Sequence, residues 1–100
     1  MEVELLYWDG CPSHPEALAM LRAILGDDAP IRLLEVVDED QAAAEGFPGS
    51  PTIRVDGEDL FPIDDPPGLS CRVYQLADGR YSPTPDPNDL RERLRSRQGE

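Results

Sequence analysis

The sequence predicts a single α/β domain over residues 1–100, with a central mixed sheet of about four strands and helices on both faces. Three observations predict it. An apolar run rich in Val, Leu, Tyr and Trp opens the chain, a helical pattern follows, and a second branched apolar run comes after that. A strand, helix, strand series of this length favours a parallel right-handed crossover. Further on, the Asp56-Gly57 pair between two short strand-like runs marks a tight hairpin, because both central residues of that turn need positive φ.

Glu2 to Trp8 has the composition of a strand covered on both faces. After Asp9-Gly10, the apolar residues Ala17, Leu18, Leu21, Ile24 and Leu25 fall on one helix face, and Gly26 stops that helix with Pro30 beyond it. Ile31 to Val37 is the second strand. Asp38 with Gln41 forms a capping-box pattern for a short helix through Glu45, ended by Gly46. Thr52 to Val55 and Glu58 to Phe61 are the hairpin strands. Residues 62 to 70 are a Pro/Asp/Gly loop, Cys71 to Leu76 a short strand paired across Ala77-Asp78-Gly79 to Tyr81, and residues 82 to 87 a linker. A final helix starts near Asp86 with Pro87 in its first turn. Only Leu90 and Leu94 give it an apolar stripe, so it is expected to pack thinly and to present its arginines to solvent.

Charge narrows the function classes. Twenty-one acidic residues stand against 9 basic ones, all arginine, for a net charge of −12. Such a field repels phosphate backbones, so a nucleic-acid partner is not expected. No apolar stretch approaches the length of a membrane span. The acidic N-terminus lacks the pattern of a secretory signal, so a cytoplasmic protein is the default expectation. Two cysteines in such a compartment point to catalytic, metal-binding or reduced thiols before a structural crosslink.

Cys11-Pro12-Ser13-His14 lies between the first strand and the first helix. A thiol there faces unpaired amides and the positive end of the helix dipole, both of which favour thiolate. Cys11 is therefore the expected nucleophile, alkylating faster than Cys71; the alternative is a buried, inert cysteine. The helix has two possible starts: Cys11 as cap with Pro12 first, or Ser13 as cap with Glu16 completing a capping box, which places His14 and Pro15 in positions that need no amide partner. The second is favoured. His14, three residues after Cys11, is placed to share a proton with its sulfur.

The Cys-Pro-x-His motif, two βα-like units, and Ser50-Pro51-Thr52 opening a strand that hairpins through Asp56-Gly57 together resemble the thioredoxin-like superfamily over roughly residues 2 to 61. The chain looks most like short bacterial thioredoxin family proteins, some described as related to alkylmercury lyase. Those share a Gly-Ser-Pro-Thr turn, here residues 49 to 52, and a Gly-Leu-Ser-Cys-Arg-Val-Tyr segment, here residues 68 to 74. The resemblance implies a thioredoxin-like sandwich with Cys11 as the attacking thiol. It also implies Pro51 as a cis-proline, with Pro12, Ser50, Pro51 and Thr52 forming a surface for an extended thiol-bearing substrate. His14 stands where a dithiol oxidoreductase carries its resolving cysteine, so two-cysteine turnover within the motif is impossible. Cys71 is a candidate replacement: if the hairpin returns antiparallel, the loop from residue 62 to Cys71 comes back beside Cys11. Otherwise Cys71 is simply packed in a strand.

The resulting expectation is a thiol-disulfide redox protein, a possible oxidoreductase without cofactor, acting on a thiol- or disulfide-bearing protein or small molecule. Two alternatives stand beside it. Cys11, His14 and Cys71 could hold a soft metal or a mercurial, although a fourth ligand is not evident. The fold could also serve as an interaction module without chemistry.

Overall fold

A computed structural model describes residues 1–98 of the chain. Its elements run β1 (Val3–Tyr7), α1 (His14–Leu25), β2 (Ile31–Glu35), α2 (Glu39–Glu45), β3 (Thr52–Val55), β4 (Glu58–Asp59), β5 (Tyr74–Gln75), β6 (Tyr81–Ser82) and α3 (Pro87–Gln98). The main sheet has the order β2-β1-β3-β4. β1 pairs parallel with β2, with Leu5 opposite Leu33, and antiparallel with β3, with Leu5 opposite Ile53. The expected mixed four-stranded α/β sheet is thus present.

Because β1 is central, its alternate side chains serve two cores. Val3 and Leu5 join Ile53 and Val55 beneath Ala17 and Leu21 of α1 and Leu90 and Leu94 of α3. Leu6 faces the other way, packing with Val36, Ala42 of α2 and Phe47. The helices therefore cover both faces. β2 ends sooner than its apolar composition predicts and lies at the sheet edge, with Leu33 46% and Val37 61% exposed. Branched residues favour a pleated strand whether or not a second layer covers them.

The turns follow their residue chemistry. Asp56 and Gly57 both have positive φ, 52° and 85°, as the hairpin requires. Asp38 accepts from the Gln41 amide at 2.7 Å, while the Gln41 side chain returns to the Val37 amide at 3.0 Å, one residue before the expected cap position. At α1, His14 is the first helical residue as favoured, yet Ser13 makes no side-chain cap bond, so the expected box with Glu16 does not form. Pro15 already lacks one of the amides such a cap would serve.

Beyond β4 the structure departs further from expectation. Leu60 and Phe61 turn inward to the core, which shortens the strand. Cys71 lies ahead of β5, in an isolated parallel bridge to Ser50. Asp86 starts α3 by accepting from the Asn88 and Asp89 amides at 2.9 and 3.3 Å. These bonds hold its carboxyl below its ordinary pKa. The helix is better fastened than two leucines imply. Arg93 lies 4.4 Å from the Phe61 ring centroid and donates to the Leu60 carbonyl at 3.0 Å, and Arg97 pairs with Glu58 at 3.0 Å.

Candidate functional site

Three segments meet at the carboxyl end of β1. The first is the turn after β1, where the Cys11 amide donates to the Trp8 carbonyl at 3.0 Å. The second is the buried loop of residues 47 to 51, containing a cis Ser50-Pro51 bond. The third is the return of the long loop at residues 68 to 72. Cys11 and Cys71, 60 residues apart, are joined by a disulfide with a Cα separation of 5.7 Å.

Main-chain bonds hold Cys71 in place. The Gly68 amide donates to the Phe47 carbonyl at 3.0 Å, the Ser50 amide to the Ser70 carbonyl at 2.8 Å, and the Arg72 amide to the Ser50 carbonyl at 3.0 Å. The Leu69 amide donates to the Glu39 carboxylate at 3.0 Å, which ties the same segment to α2. This approach needs a glycine. A Cβ on Gly49, whose φ is +140°, would come within 3.0 Å of the Arg72 Cβ and 3.1 Å of its backbone nitrogen.

Beneath the bridge, Arg72 is almost wholly buried, with 1% of its side chain exposed. It donates to Thr52 Oγ1 at 3.2 Å, Asp59 Oδ2 at 3.0 Å and the Phe61 carbonyl at 2.8 Å. Its guanidinium lies 4.5 Å from the Tyr74 ring centroid. Thr52 passes the network on by donating to the Gly49 carbonyl at 2.6 Å, and the Tyr74 hydroxyl donates to the Pro51 carbonyl. Burial raises the Tyr74 pKa, partly offset by the Arg72 charge. Residues 72 and 74 thus clamp the loop that carries Ser50 and Pro51. Sequence reasoning did not single out Arg72, Tyr74 or Asp59, although Arg72 and Tyr74 belong to the segment of residues 68 to 74 on which the family resemblance rests.

The structure brings Cys11, Cys71, Ser50, Pro51 and Thr52 together, with consequences that sequence did not anticipate. Both main-chain groups of Ser50, the Pro51 carbonyl and the Thr52 hydroxyl are bonded to the chain's own residues. The strip expected to receive a substrate is filled by residues 70 to 72. Pro12 is exposed beside it. His14 does not bond to Cys11 through Nδ1: that atom is buried with no hydrogen-bond partner among the described residues, and the ring stacks on Tyr7 at a centroid distance of 4.0 Å. The exposure of the two cysteines also runs against the expected order of reactivity, with Cys11 at 0% and Cys71 exposed. Proximity to a helix start favours thiolate, but burial opposes it and keeps reagents from the sulfur.

Among the described residues, no group of three or more His, Cys, Asp or Glu side chains is arranged to hold a metal ion, so Cys11, His14 and Cys71 do not assemble as a ligand set in this oxidised state. No helix among those residues is long and apolar enough to cross a membrane. No family model matches the chain, and neither the curated proteins nor the solved structures include a significant match.

Proposed function

We propose that the protein is a thioredoxin-like thiol-disulfide redox protein whose working pair is Cys11 and Cys71. The observation that carries this reading is the pairing of a cysteine at the β1–α1 turn with one 60 residues away, beside a cis-proline loop. The motif that begins at Cys11 has histidine at its fourth position, and Cys71 supplies the second sulfur from elsewhere in the fold. The buried Arg72 and Tyr74 contacts support reversible chemistry, because they hold Cys71 beside Cys11 without needing the covalent bond. Substrates in this reading are protein or small-molecule thiols and disulfides.

The test is equilibration of the folded protein in graded glutathione redox buffers, followed by acid quenching and intact mass measurement. A two-electron transition between forms differing by about 2 Da, the mass of the two hydrogens lost on pairing, supports the reading. Catalysed reduction of a model disulfide by dithiothreitol, lost in Cys11→Ser and Cys71→Ser, completes it. A disulfide that survives millimolar dithiothreitol while the chain stays folded would make the bridge a structural crosslink.

A further inference from the structure

We infer that Cys71 is the sulfur that exchanges with the outside and Cys11 the buried sulfur it releases, the reverse of the order that the motif at Cys11 implies. The inference rests on the redox reading above and assigns roles within it. Thiol-disulfide exchange requires the attacking sulfur to reach one sulfur of the bridge, and access decides which. Cys11 is 0% exposed, whereas Cys71 is exposed. Of the two bridged residues only Cys71 is open to solvent, so an external thiolate, from a small molecule or a protein, attacks on its side of the bridge. As its sulfur bonds to Cys71, the bond between Cys71 and Cys11 breaks, and the bonding electron pair leaves on Cys11 as thiolate. A second thiolate then attacks the mixed disulfide and frees Cys71. The external thiols leave as one disulfide, and two protons taken up from solvent complete the dithiol. In the opposite direction Cys71 attacks a substrate disulfide, and Cys11 resolves the mixed disulfide.

The backbone suits this division. Bonds from the Ser70 carbonyl and Arg72 amide to Ser50 fix the segment on either side of Cys71, while Arg72 anchors it from below. Cys71 thus stays at the surface with Cys11 behind it whether or not the bridge is closed. Ser50 Oγ and His14 Nδ1 are two of four buried side-chain polar atoms with no hydrogen-bond partner among the described residues. Ser50 is the bridge partner of Cys71, so its hydroxyl is a donor on a segment beside the bridge, and His14 opens α1 three residues after Cys11.

The experiment uses oxidised wild-type protein, a limiting pulse of glutathione, acid quenching, N-ethylmaleimide capping and peptide mapping by mass spectrometry. The expected product carries glutathione on Cys71 and the maleimide on Cys11. In the fully reduced protein, Cys71 is expected to alkylate at least about tenfold faster than Cys11, whose reaction waits on local opening. Glutathione on Cys11, or alkylation of Cys11 first, would overturn the assignment while leaving the redox reading intact. A bridge that resists glutathione and dithiothreitol alike would overturn the redox reading itself. Cys11→Ser adds an independent check: given glutathione disulfide, its Cys71 thiolate should displace one glutathione as thiolate and keep the other as a stable mixed disulfide, and a variant that is folded but unreactive would overturn the assignment.

Discussion

Opening the Cys11–Cys71 bridge should destabilise the domain by an amount that follows from where the cysteines lie in the chain. The bond spans 60 residues, so in the unfolded state it closes a loop comprising more than half of the protein. Loop-closure entropy for that length is worth about 4 kcal/mol at 25 °C, against a total stability of about 5–15 kcal/mol for domains of ordinary size. At roughly 5 °C per kcal/mol for a chain of this length, reduction should lower the Tm by about 20 °C. The folded side of the equilibrium changes little, because Arg72, Tyr74 and the bonds to Ser50 remain. Calorimetry of the oxidised protein, of the protein in excess phosphine reductant, and of Cys71→Ser without reductant gives three values to compare. The last two should agree, and the reduced protein should keep its near-ultraviolet circular dichroism. A shift below about 5 °C on verified reduction would refute the reasoning, since it would mean that the bridge does not constrain the unfolded chain as its span requires.

Arg72→Met removes every side-chain donor to Thr52, Asp59 and the Phe61 carbonyl and should cost about 3 kcal/mol by chemical denaturation, with slower re-formation of the bridge after reduction; unchanged stability and unchanged re-oxidation would remove Arg72 as the anchor of Cys71. Burial holds the Tyr74 phenol above its ordinary pKa, so the unfolded chain loses that proton first once the pH passes about 10. The associated stability is intact below that pH and falls above it, and Tyr74→Phe should flatten the alkaline decline in denaturant midpoint; a decline as steep as wild type would place the linkage elsewhere. Ser50→Ala deletes a buried hydroxyl that has no partner among the described residues, so the oxidised protein should lose no stability and gain up to about 1 kcal/mol, whereas thiol exchange should slow if that hydroxyl serves the released Cys11 thiolate. A less stable variant with normal exchange would mean that the hydroxyl is satisfied in the folded protein.

The parts of the fold that sequence made legible are those whose cause is local. Strand, crossover helix and strand follow from composition and periodicity, and the positive φ values at Asp56 and Gly57 follow from turn chemistry. The cis geometry at Ser50-Pro51 was different: the residues alone favour trans, and only the family resemblance pointed to cis. Arg72 was illegible because an arginine between Cys71 and Val73 reads as solvent-facing, and its burial makes sense only when its acceptors on three other segments are known. The exposure of Cys11 could not be read either. A turn residue is ordinarily at the surface, and Asp9, Gly10 and Pro12 are, but Cys11 between them is turned inward, where it meets Cys71.

Pairing across 60 residues changes what the bridge responds to. A two-cysteine motif within one turn keeps its sulfurs close even in an unfolded chain, so the loop-closure entropy of its bridge depends little on the fold. Cys11 and Cys71 meet only because β1, β3 and residues 68 to 72 have assembled, and their effective concentration for each other is a property of the folded state. The linkage is reciprocal: whatever stability the bridge adds to the fold, the fold returns as resistance of the bridge to reduction. Reversible turnover therefore demands that the reduced chain stay folded on its remaining contacts. Arg72 is the side chain best placed to meet that demand, since it lies next to Cys71 in sequence and ties it to β3, β4 and Phe61 at once. A loosened anchor would weaken the oxidised protein by the contacts it loses and act a second time after reduction, when the main-chain bonds to Ser50 alone hold Cys71 beside Cys11.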